Sequence, residues 1–313
     1  MPTNYMDHPQ FQAFLDARYS MVVEEELADT TDIRPDIYDM IRTDRLEERA
    51  SAVGGLSQWP EFMGEISFQR MYEQYQTLFR PREYASAVAV TRRMVKDDLT
   101  NVLSGMRFRP MVRAAILTEQ THATRLFEMI NVVDTHWSMH TENVPIVSLN
   151  HTTRTPNVDT STGFGNIIFE PLSPVAIRAA QILGRKIKSS EGDRTNMHYD
   201  VLFVPVDQVP LANTILRTEQ GLDTPAMNEN QESHSRSGIR RVIGLPHWTS
   251  SSNWVLANSR MMKDHLKWVT SETPTYGRMT EFHTMQIKSR GYMRHGVMNT
   301  GWRWSFGGIP LVA

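Results

Sequence analysis

The stretch "WPEFMGEISFQRMYEQYQTLFRPREY", residues 59–84, combines many aromatic side chains with many charges and shows no helical period. Ile66 and Phe68 share one strand parity, and the polar side chains between and beside them share the other. This alternation is typical of a strand with one apolar side. A two-stranded hairpin is only marginally stable in water. The pattern therefore predicts an extended arm whose aromatic side chains need another surface to cover them.

Two regular elements follow the arm. The alternation in "EYASAVAVTRRMV", residues 83–95, predicts a long strand. Residues 112–133 then place apolar side chains on one helical stripe, with polar side chains such as Glu119 mostly off it. At 1.5 Å per residue this predicts a helix of roughly 30 Å. The stripe consists of Val112, Ile116, Ala123, Leu126, Phe127, Ile130 and Val133.

The rest of the chain mixes short helical and strand patterns without a βαβ repeat, which indicates an α+β fold. The first fifty residues predict short amphipathic helices that need a partner surface, the second of them over residues 36–49. Residues 150–166 are a polar loop, Ser173 and Pro174 predict a helix start, and residues 222–238 predict an exposed excursion. The remaining predicted elements are a strand over residues 199–207, a helix over 211–216, and strands over 240–248, 253–260 and 282–304.

Bulk composition excludes several classes of protein. The 313 residues carry 33 basic and 35 acidic side chains, a formal net charge of −2, and this is not the basic excess of a dedicated nucleic-acid binder. The chain contains no cysteine, which removes disulfides and thiolate metal sites. No apolar run approaches the ~20 residues of a membrane span, and the first residues lack a secretory pattern. We therefore expect a soluble protein that folds in a cytoplasm.

One candidate metal site lies in "HWSMH". His136 and His140 stand four residues apart, as zinc ligands on a helix do, and Glu142 is close in sequence. The zincin pattern places Glu directly after the first His, where this chain has Trp137. Two polar side chains at a helix end explain the spacing better than a metal does. No nucleophile elbow or phosphate-binding glycine loop occurs, so we expect no catalytic residues and no cofactor.

A second candidate site is the aromatic run near residue 304. Trp302, Trp304 and Phe306 alternate with the charge of Arg303, as in a stacking platform for single-stranded nucleic acid. Trp302 and Trp304 share strand parity, however, and would enter a core together. The core interpretation is the favoured one.

The order of these parts resembles the major capsid protein of tailed bacteriophages, with the Hong Kong 97 fold, and especially the Mu-like major head subunit family. The resemblance extends over about residues 38–308. It is carried by "FMGEISFQRMYEQYQTLFRPREYASAVAVTRRMVKDD", "LPHWTSSSNWVLANSRMMKDHLKW" and "GYMRHGVMNTGWRWSFGG". Residues 150–166 also resemble the polar loop that follows the spine helix in that family, whereas residues 222–238 have no clear counterpart.

The resemblance implies a division of the chain. Residues 1–52 would be an N-terminal arm and residues 53–83 an extended β-hairpin loop. Residues 84–150 and 276–313 would form a peripheral domain around the spine helix, about residues 112–133, and residues 151–275 an axial domain. The expected contacts with a neighbouring subunit are made by Trp59, Phe62, Ile66, Phe68, Tyr72, Tyr75 and Phe79.

The resemblance also implies a function. The expected protein is no enzyme but self-assembles into hexamers and pentamers, which form an icosahedral head around double-stranded DNA held without sequence readout. Its expected partners are further copies of itself, a portal, a scaffold and possible decoration proteins, with no membrane. It would assemble in the host cytoplasm and reside in the virion. Two alternatives remain: an encapsulin-like compartment shell, or a metal-dependent hydrolase that uses His136, His140 and Glu142.

Overall fold

The computed structural model of the protein describes residues 32–64, 66, 68–91, 93, 109–217, 233, 237–281 and 286–310. Its helices are α1 (Arg34–Ile37), α2 (Arg109–Glu128), α3 (Pro174–Arg185), α4 (Val209–Arg217) and α5 (Ser259–His265). Its strands are β1 (Asp39–Arg42), β2 (Glu48–Val53), β3 (Glu73–Phe79), β4 (Arg82–Thr91), β5 (Ser138–His140), β6 (Ile167–Ile168), β7 (Val201–Pro205), β8 (Arg241–Leu245), β9 (Trp254–Ala257), β10 (Leu266–Thr280), β11 (Gln286–Asn299) and β12 (Ser305–Gly308). In the described helices, no segment has both the length and the apolar composition for crossing a bilayer.

The strands form three sheets. A four-stranded sheet has the order β1-β10-β11-β4, and its long hairpin β10–β11 pairs antiparallel with β4 through ten consecutive residue pairs. A five-stranded sheet has the order β6-β12-β9-β7-β8, with β7 and β8 parallel. A smaller sheet joins β2, β3 and β5. Helices and mixed sheets together agree with the predicted α+β class.

The five-stranded sheet separates two hydrophobic cores. Val201 and Phe203 of β7 enter the core that contains α2, whereas Leu202 and Val204 enter the core that contains α3 and α4. Successive strand residues point to opposite faces, so a strand covered on both sides must be apolar throughout. This explains the uninterrupted "VLFVP" of β7, and strand β9 behaves in the same way.

The long helix α2 ends earlier than the sequence indicates. The predicted helix over residues 112–133 is observed as Arg109–Glu128, and its 20 residues span roughly 30 Å. Ile130 is buried beyond the helix end, but Val133 is exposed, so its assignment to the apolar stripe was wrong. Glu119 was expected off that stripe, yet it is buried. Its carboxylate forms an ion pair with the Arg34 guanidinium, with an N–O distance of 2.7 Å.

The prediction of a helix over residues 36–49 was also wrong. Only α1 is helical, and the chain then forms β1 and β2. β1 pairs parallel with β10, so that Met40 lies opposite Trp268. A helical pattern this short is weak, and pairing with a distant strand outweighs it. Within residues 32–52 of the predicted arm, β1 and most of β2 therefore belong to sheets, while residues 1–31 lie outside the described residues.

Other predicted elements are confirmed. The Ser173 hydroxyl accepts a hydrogen bond from the backbone nitrogen of Ala176 at 3.1 Å, and Pro174 begins α3. The expected elements within residues 199–217 and 240–260 correspond to β7, α4, β8 and β9. Most of residues 222–238 lies outside the described residues, but its described Ser233 and Ser237 are buried, which contradicts an exposed position for them.

The sheets do not follow the predicted domain ranges. The boundary between residues 275 and 276 falls inside β10, which belongs as a whole to the four-stranded sheet. Strand β12, in the range 276–313 that was predicted as peripheral, instead pairs with β6 and β9. Each of these two sheets therefore combines residues from both predicted domains.

Candidate assembly surface

Residues 54–72, which connect β2 to β3, expose an unusual amount of apolar surface. We refer to this connection as the apolar loop. Phe68 is 94% exposed, Trp59 89% and Ile66 76%. Soluble monomers rarely leave several large apolar side chains so close together in water, and such patches mark interaction surfaces. The exposed large side chains of the loop are Leu56, Trp59, Phe62, Met63, Ile66, Phe68, Met71 and Tyr72.

The strand predicted around Ile66 and Phe68 is absent from the isolated subunit. Both residues lie in irregular backbone, and no described residue from 54 to 72 belongs to a strand. Glu65 and Ser67, which completed the predicted alternation, lie outside the described residues. The prediction of a strand was therefore wrong for Ile66 and Phe68 in this state of the chain.

The seven predicted contact residues do not share one environment. Trp59, Phe62, Ile66, Phe68 and Tyr72 are exposed on the apolar loop. Tyr75 is half-buried on β3, where its hydroxyl lies 2.6 Å from that of Thr152. Phe79 is fully buried in the core of its own subunit, so its assignment to a contact between subunits was wrong. It belongs to a strand that lies between β2 and β5, and there its ring faces inward.

The base of the apolar loop is held by its own subunit. The backbone nitrogen of Gly54 donates to the carbonyl of Tyr72 at 2.8 Å, which brings the two loop ends together. A Cβ at Gly54 would lie 2.5 Å from Glu191 Oε1 and 3.2 Å from the carbonyl oxygen of Tyr72, so a side chain there would have to displace the Glu191 side chain. Ser57 adds a hydrogen bond of 2.8 Å to the Asp193 carboxylate. These contacts fix where the loop leaves the body of the protein.

The polar loop 150–166 anchors the strand that follows. The buried Gln74 side chain donates to the Thr155 hydroxyl at 2.9 Å and accepts from the Thr153 hydroxyl at 3.0 Å. The Arg154 guanidinium lies 5.4 Å from the centre of the Tyr75 ring. Sequence reasoning identified this loop only as polar. Its role in fixing the direction of β3 depends on contacts between residues about 80 positions apart, which no local pattern contains.

The histidines of "HWSMH" do not meet around a common point. The motif ends in strand β5 and is not helical, so its spacing of four does not place both rings on one helix face. His136 Nε2 lies 3.2 Å from the Tyr84 hydroxyl, whereas Glu142 accepts a hydrogen bond of 2.6 Å from the backbone nitrogen of Thr152. No metal-binding group of three His, Cys, Asp or Glu side chains occurs in the described part of the chain. The alternative of a hydrolase built on these residues is therefore not supported.

Glu142 instead belongs to a buried structural cluster. His151 Nδ1 lies 3.3 Å from its carboxylate, and the His151 ring stacks on Trp302 with ring centres 4.1 Å apart. Burial opposes ionisation, but the hydrogen bond from His151 and nearby charge hold the pKa of Glu142 below its ordinary value. The adjacent cavity measures about 70 Å³, well below the ~300 Å³ at which ligand pockets begin.

The aromatic run near residue 304 is part of the core. Trp302, Trp304 and Phe306 are all buried, as the favoured interpretation expected, so they offer no stacking platform for nucleic acid. The reason given from parity was incomplete. Trp302 and Trp304 lie in a turn before β12, and they enter the two different cores.

A histidine pair, with His295 buried and His122 half-buried, joins α2 to the four-stranded sheet. His122 Nδ1 and His295 Nε2 lie 2.9 Å apart, and the Tyr84 ring stacks on His295. Burial lowers the pKa of His122 to about 4 and that of His295 to about 3, so both rings are neutral at pH 7. The pair was not identified from the sequence, because its members lie 173 residues apart.

Comparisons with known protein families and solved structures identify the family and the fold of the chain. The family model described as phage capsid protein matches residues 74–305, well over half of the 313 residues. No curated protein matches the chain. Solved structures with the same fold include the mature capsid of bacteriophage PhiM1 (10% identity, TM-score 0.55, covering 91% of this chain and 88% of that one), the bacteriophage JBD30 capsid (12%, 0.50, 91% and 67%) and a virus-like particle from Pyrococcus furiosus (7%, 0.51, 93% and 98%).

At such identities the structural likeness shows the fold alone. The predicted Hong Kong 97-type fold is confirmed by these capsid structures. The finer assignment to the Mu-like major head subunits stays a prediction.

Proposed function

Because the chain belongs to the phage capsid protein family, we propose that it forms hexamers and pentamers that close into an icosahedral head around double-stranded DNA. The family and the fold are those of structural capsid proteins and not of enzymes. The chain is therefore a shell protein of a virion. What is proposed beyond this concerns the rings, the enclosed DNA and the further partners.

The observation that carries the proposal is the exposed apolar loop. Its large side chains are exposed in the described part of the subunit, although contacts at Gly54 and Gln74 hold its base firmly. A fixed base and an uncovered end suit an element that reaches a neighbour. Because the donor surface differs from the acceptor surface, the contact is heterologous and repeats head to tail until a ring closes. Many such contacts then add to a stable shell.

The division of the subunit into domains is part of the proposal. The N-terminal arm is assigned to residues 1–52 and the extended loop to residues 53–83. The peripheral domain contains α2, β10, β11 and most of β4, and the axial domain contains α3, α4 and the five-stranded sheet. With sheet membership as the criterion, β10 from Leu266 onward is peripheral and β12 is axial.

The proposed DNA contact is non-specific. A formal net charge of −2 gives little attraction to phosphate, so the shell would hold DNA by confinement and not by affinity. The portal, scaffold and decoration proteins are proposed partners, and assembly in the host cytoplasm is the proposed route into the virion.

Electron microscopy of the purified protein tests the proposal directly. We expect closed particles with fivefold and sixfold rings of subunits. A chain that stays monomeric at high concentration, with the apolar loop folded back on its own body, would refute it.

The compartment alternative is retained because the Pyrococcus furiosus particle has the same fold and nearly all of its chain is covered. Particles purified from infected cells distinguish the two. Nuclease-protected double-stranded DNA supports the phage head, whereas enclosed protein without DNA supports the compartment.

A further inference from the structure

A groove of about 560 Å³ lies between the first half of α2, strand β1 and strand β10. Its volume falls within the range of ~300–1,000 Å³ that is typical of pockets for bound ligands. Each of the three elements contributes apolar side chains to it, among them Ile116 from α2, Met40 and Ile41 from β1, and Tyr276 from β10. The groove is therefore a mainly apolar surface with room for several side chains.

The apolar stripe of α2 loses its cover at this groove. Val112, Ala123 and Phe127 of the stripe are at most 1% exposed, but Ile116, between them in sequence, is only half-buried. Met40 on the strand across the groove is 45% exposed. The apolar stripe of an amphipathic helix normally packs against a partner surface. The described residues thus leave one position of the stripe partly uncovered, and the groove lies at that position.

The residues that precede the described part of the chain leave from the wall of this groove. Arg34 lines the groove, and its guanidinium forms the ion pair with Glu119 of α2. Asp32 is the first described residue, and its carboxylate accepts hydrogen bonds from the backbone nitrogen and from Nε of Arg34, both at 2.9 Å. These contacts fix the point from which residues 1–31 depart, directly beside α2.

Residues 11–26, which lie outside the described residues, have a sequence that suits an apolar groove. Their apolar residues recur near helical spacing, which predicts an amphipathic helix too short to persist without a partner surface. Nine residues separate Val23 from Asp32, and at ~3.6 Å per residue they span at most about 32 Å, so the segment has enough chain to turn back onto α2. The apolar residues at this spacing are Phe11, Phe14, Leu15, Val22 and Val23.

The charges of the groove and of the segment are opposite. The charged side chains that line the groove are two cations, Arg34 and Arg42, and one carboxylate, Glu119. Arg34 and Glu119 form an ion pair, whereas Arg42 is exposed. The acidic run Glu24–Glu26 follows directly after the apolar residues of the segment. Opposite charges of this kind fix the register in which two surfaces meet.

We propose that residues 11–23 lie as an amphipathic helix in the groove of their own subunit, with Glu24–Glu26 beside Arg42. Their apolar side chains then cover Ile116 and Met40 and complete the stripe of α2. The fixed departure point at Asp32 favours the chain's own groove over that of a neighbour. This inference goes beyond the proposed shell function, because the contact forms within one subunit and requires neither a ring nor a shell.

Thiol labelling of the full chain tests this contact, since the sequence contains no cysteine. Ile116→Cys places a single thiol in the groove. The matched control is Leu117→Cys, because Leu117 is the next residue of α2, is 51% exposed and does not line the groove. Each variant is labelled with a maleimide, with and without the additional changes Phe14→Ser and Val22→Ser, at concentrations where sedimentation velocity shows monomers only. We expect the serine changes to accelerate labelling at least tenfold for Ile116→Cys and less than twofold for Leu117→Cys.

A charge variant covers the case in which the serine changes do not give a folded chain. Arg42→Glu places a carboxylate opposite the acidic run, and Arg45→Glu is its control, because Arg45 is exposed but does not line the groove. We expect Arg42→Glu to accelerate labelling of Ile116→Cys at least threefold and Arg45→Glu to leave the rate unchanged. Thermal unfolding checks that both variants remain folded.

Three results would overturn the inference. The first is a labelling rate of Ile116→Cys that the serine changes do not alter, since the segment would then not cover the groove. The second is protection of this thiol in assembled particles only, which would assign the groove to a neighbouring subunit. The third is an unchanged rate in Arg42→Glu. Failure of the proposed shell function appears separately, as the absence of particles.

Discussion

Replacement of Ile66 and Phe68 by serine is expected to leave a folded subunit that no longer forms particles. Both side chains are exposed in the isolated subunit, at 76% and 94%, so folding gains little from them. Exposed substitutions away from special backbone positions usually change the unfolding free energy by less than ~0.5 kcal/mol. The whole effect should therefore appear in assembly.

The magnitude follows from the apolar area that the neighbour would cover. A phenylalanine ring buries at least ~150 Å², worth about 4 kcal/mol at ~25 cal/mol per Å², and an isoleucine adds about 2 kcal/mol. Side-chain ordering costs about 1 kcal/mol for each residue. Each subunit donates one loop and receives one, so about 4 kcal/mol is lost per subunit. At 1.4 kcal/mol per factor of ten, the threshold concentration should rise by more than a hundredfold.

Sedimentation velocity over a concentration series measures this threshold. Leu46→Ser is the matched control, because Leu46 is 77% exposed but lies outside the apolar loop. We expect the control to assemble as the unaltered protein does. Normal particles from the Ile66→Ser, Phe68→Ser variant at the unaltered threshold would show that the loop is not an assembly element.

Three further outcomes concern the subunit itself. Phe79→Ala should lower the unfolding free energy in denaturant by about 3–5 kcal/mol, because the ring is fully buried, and a loss below 1 kcal/mol would contradict its place in the core. Ser173→Ala should cost about 1 kcal/mol by removing the α3 cap, and an unchanged denaturation midpoint would count against that cap. The lowered pKa values of His122 and His295, about 4 and about 3, mean that the unfolded chain gains protons first as the pH falls below ~6.5. Stability should therefore fall between pH 6.5 and 5, and the fall should be shallower when both histidines are replaced by glutamine; identical slopes would refute this.

Sequence patterns predicted the elements whose determinants are local. Ser173 and Pro174 define a helix start within four residues, and the apolar run of β7 reports that both of its faces are covered. The strand from Arg82 and the helix from Arg109 were likewise recognisable from their periods. In each case the sequence pattern that predicts the element lies within one turn of helix or within one strand.

The failures share a different cause, which is pairing over long sequence distances. The sequence of β1 predicts a helix, but in the structure β1 is a strand in which Met40 pairs with Trp268. The position of Glu119 in its helix predicts a solvent-facing side chain, but in the structure it forms an ion pair with Arg34. Phe79 belongs to an aromatic cluster in sequence, but only the sheet decides that it faces inward while Phe68 does not. No local period contains this information.

For the candidate surface, the sequence predicted that an aromatic arm needs cover, and the exposure of Trp59 and Phe68 agrees with that expectation. The anchoring of the arm by Gln74 and Ser57 could not be predicted, because their partners lie in residues 153–155 and at Asp193.

The position of β12 constrains when the subunit can fold. Residues 305–308 form strand β12, which lies inside the five-stranded sheet between β6 and β9. Likewise β1, near the start of the described chain, pairs only with β10, which contains Lys267. During synthesis neither sheet can be completed until these late residues have left the ribosome. A nascent chain that still lacks these residues is therefore expected to have two incomplete sheets.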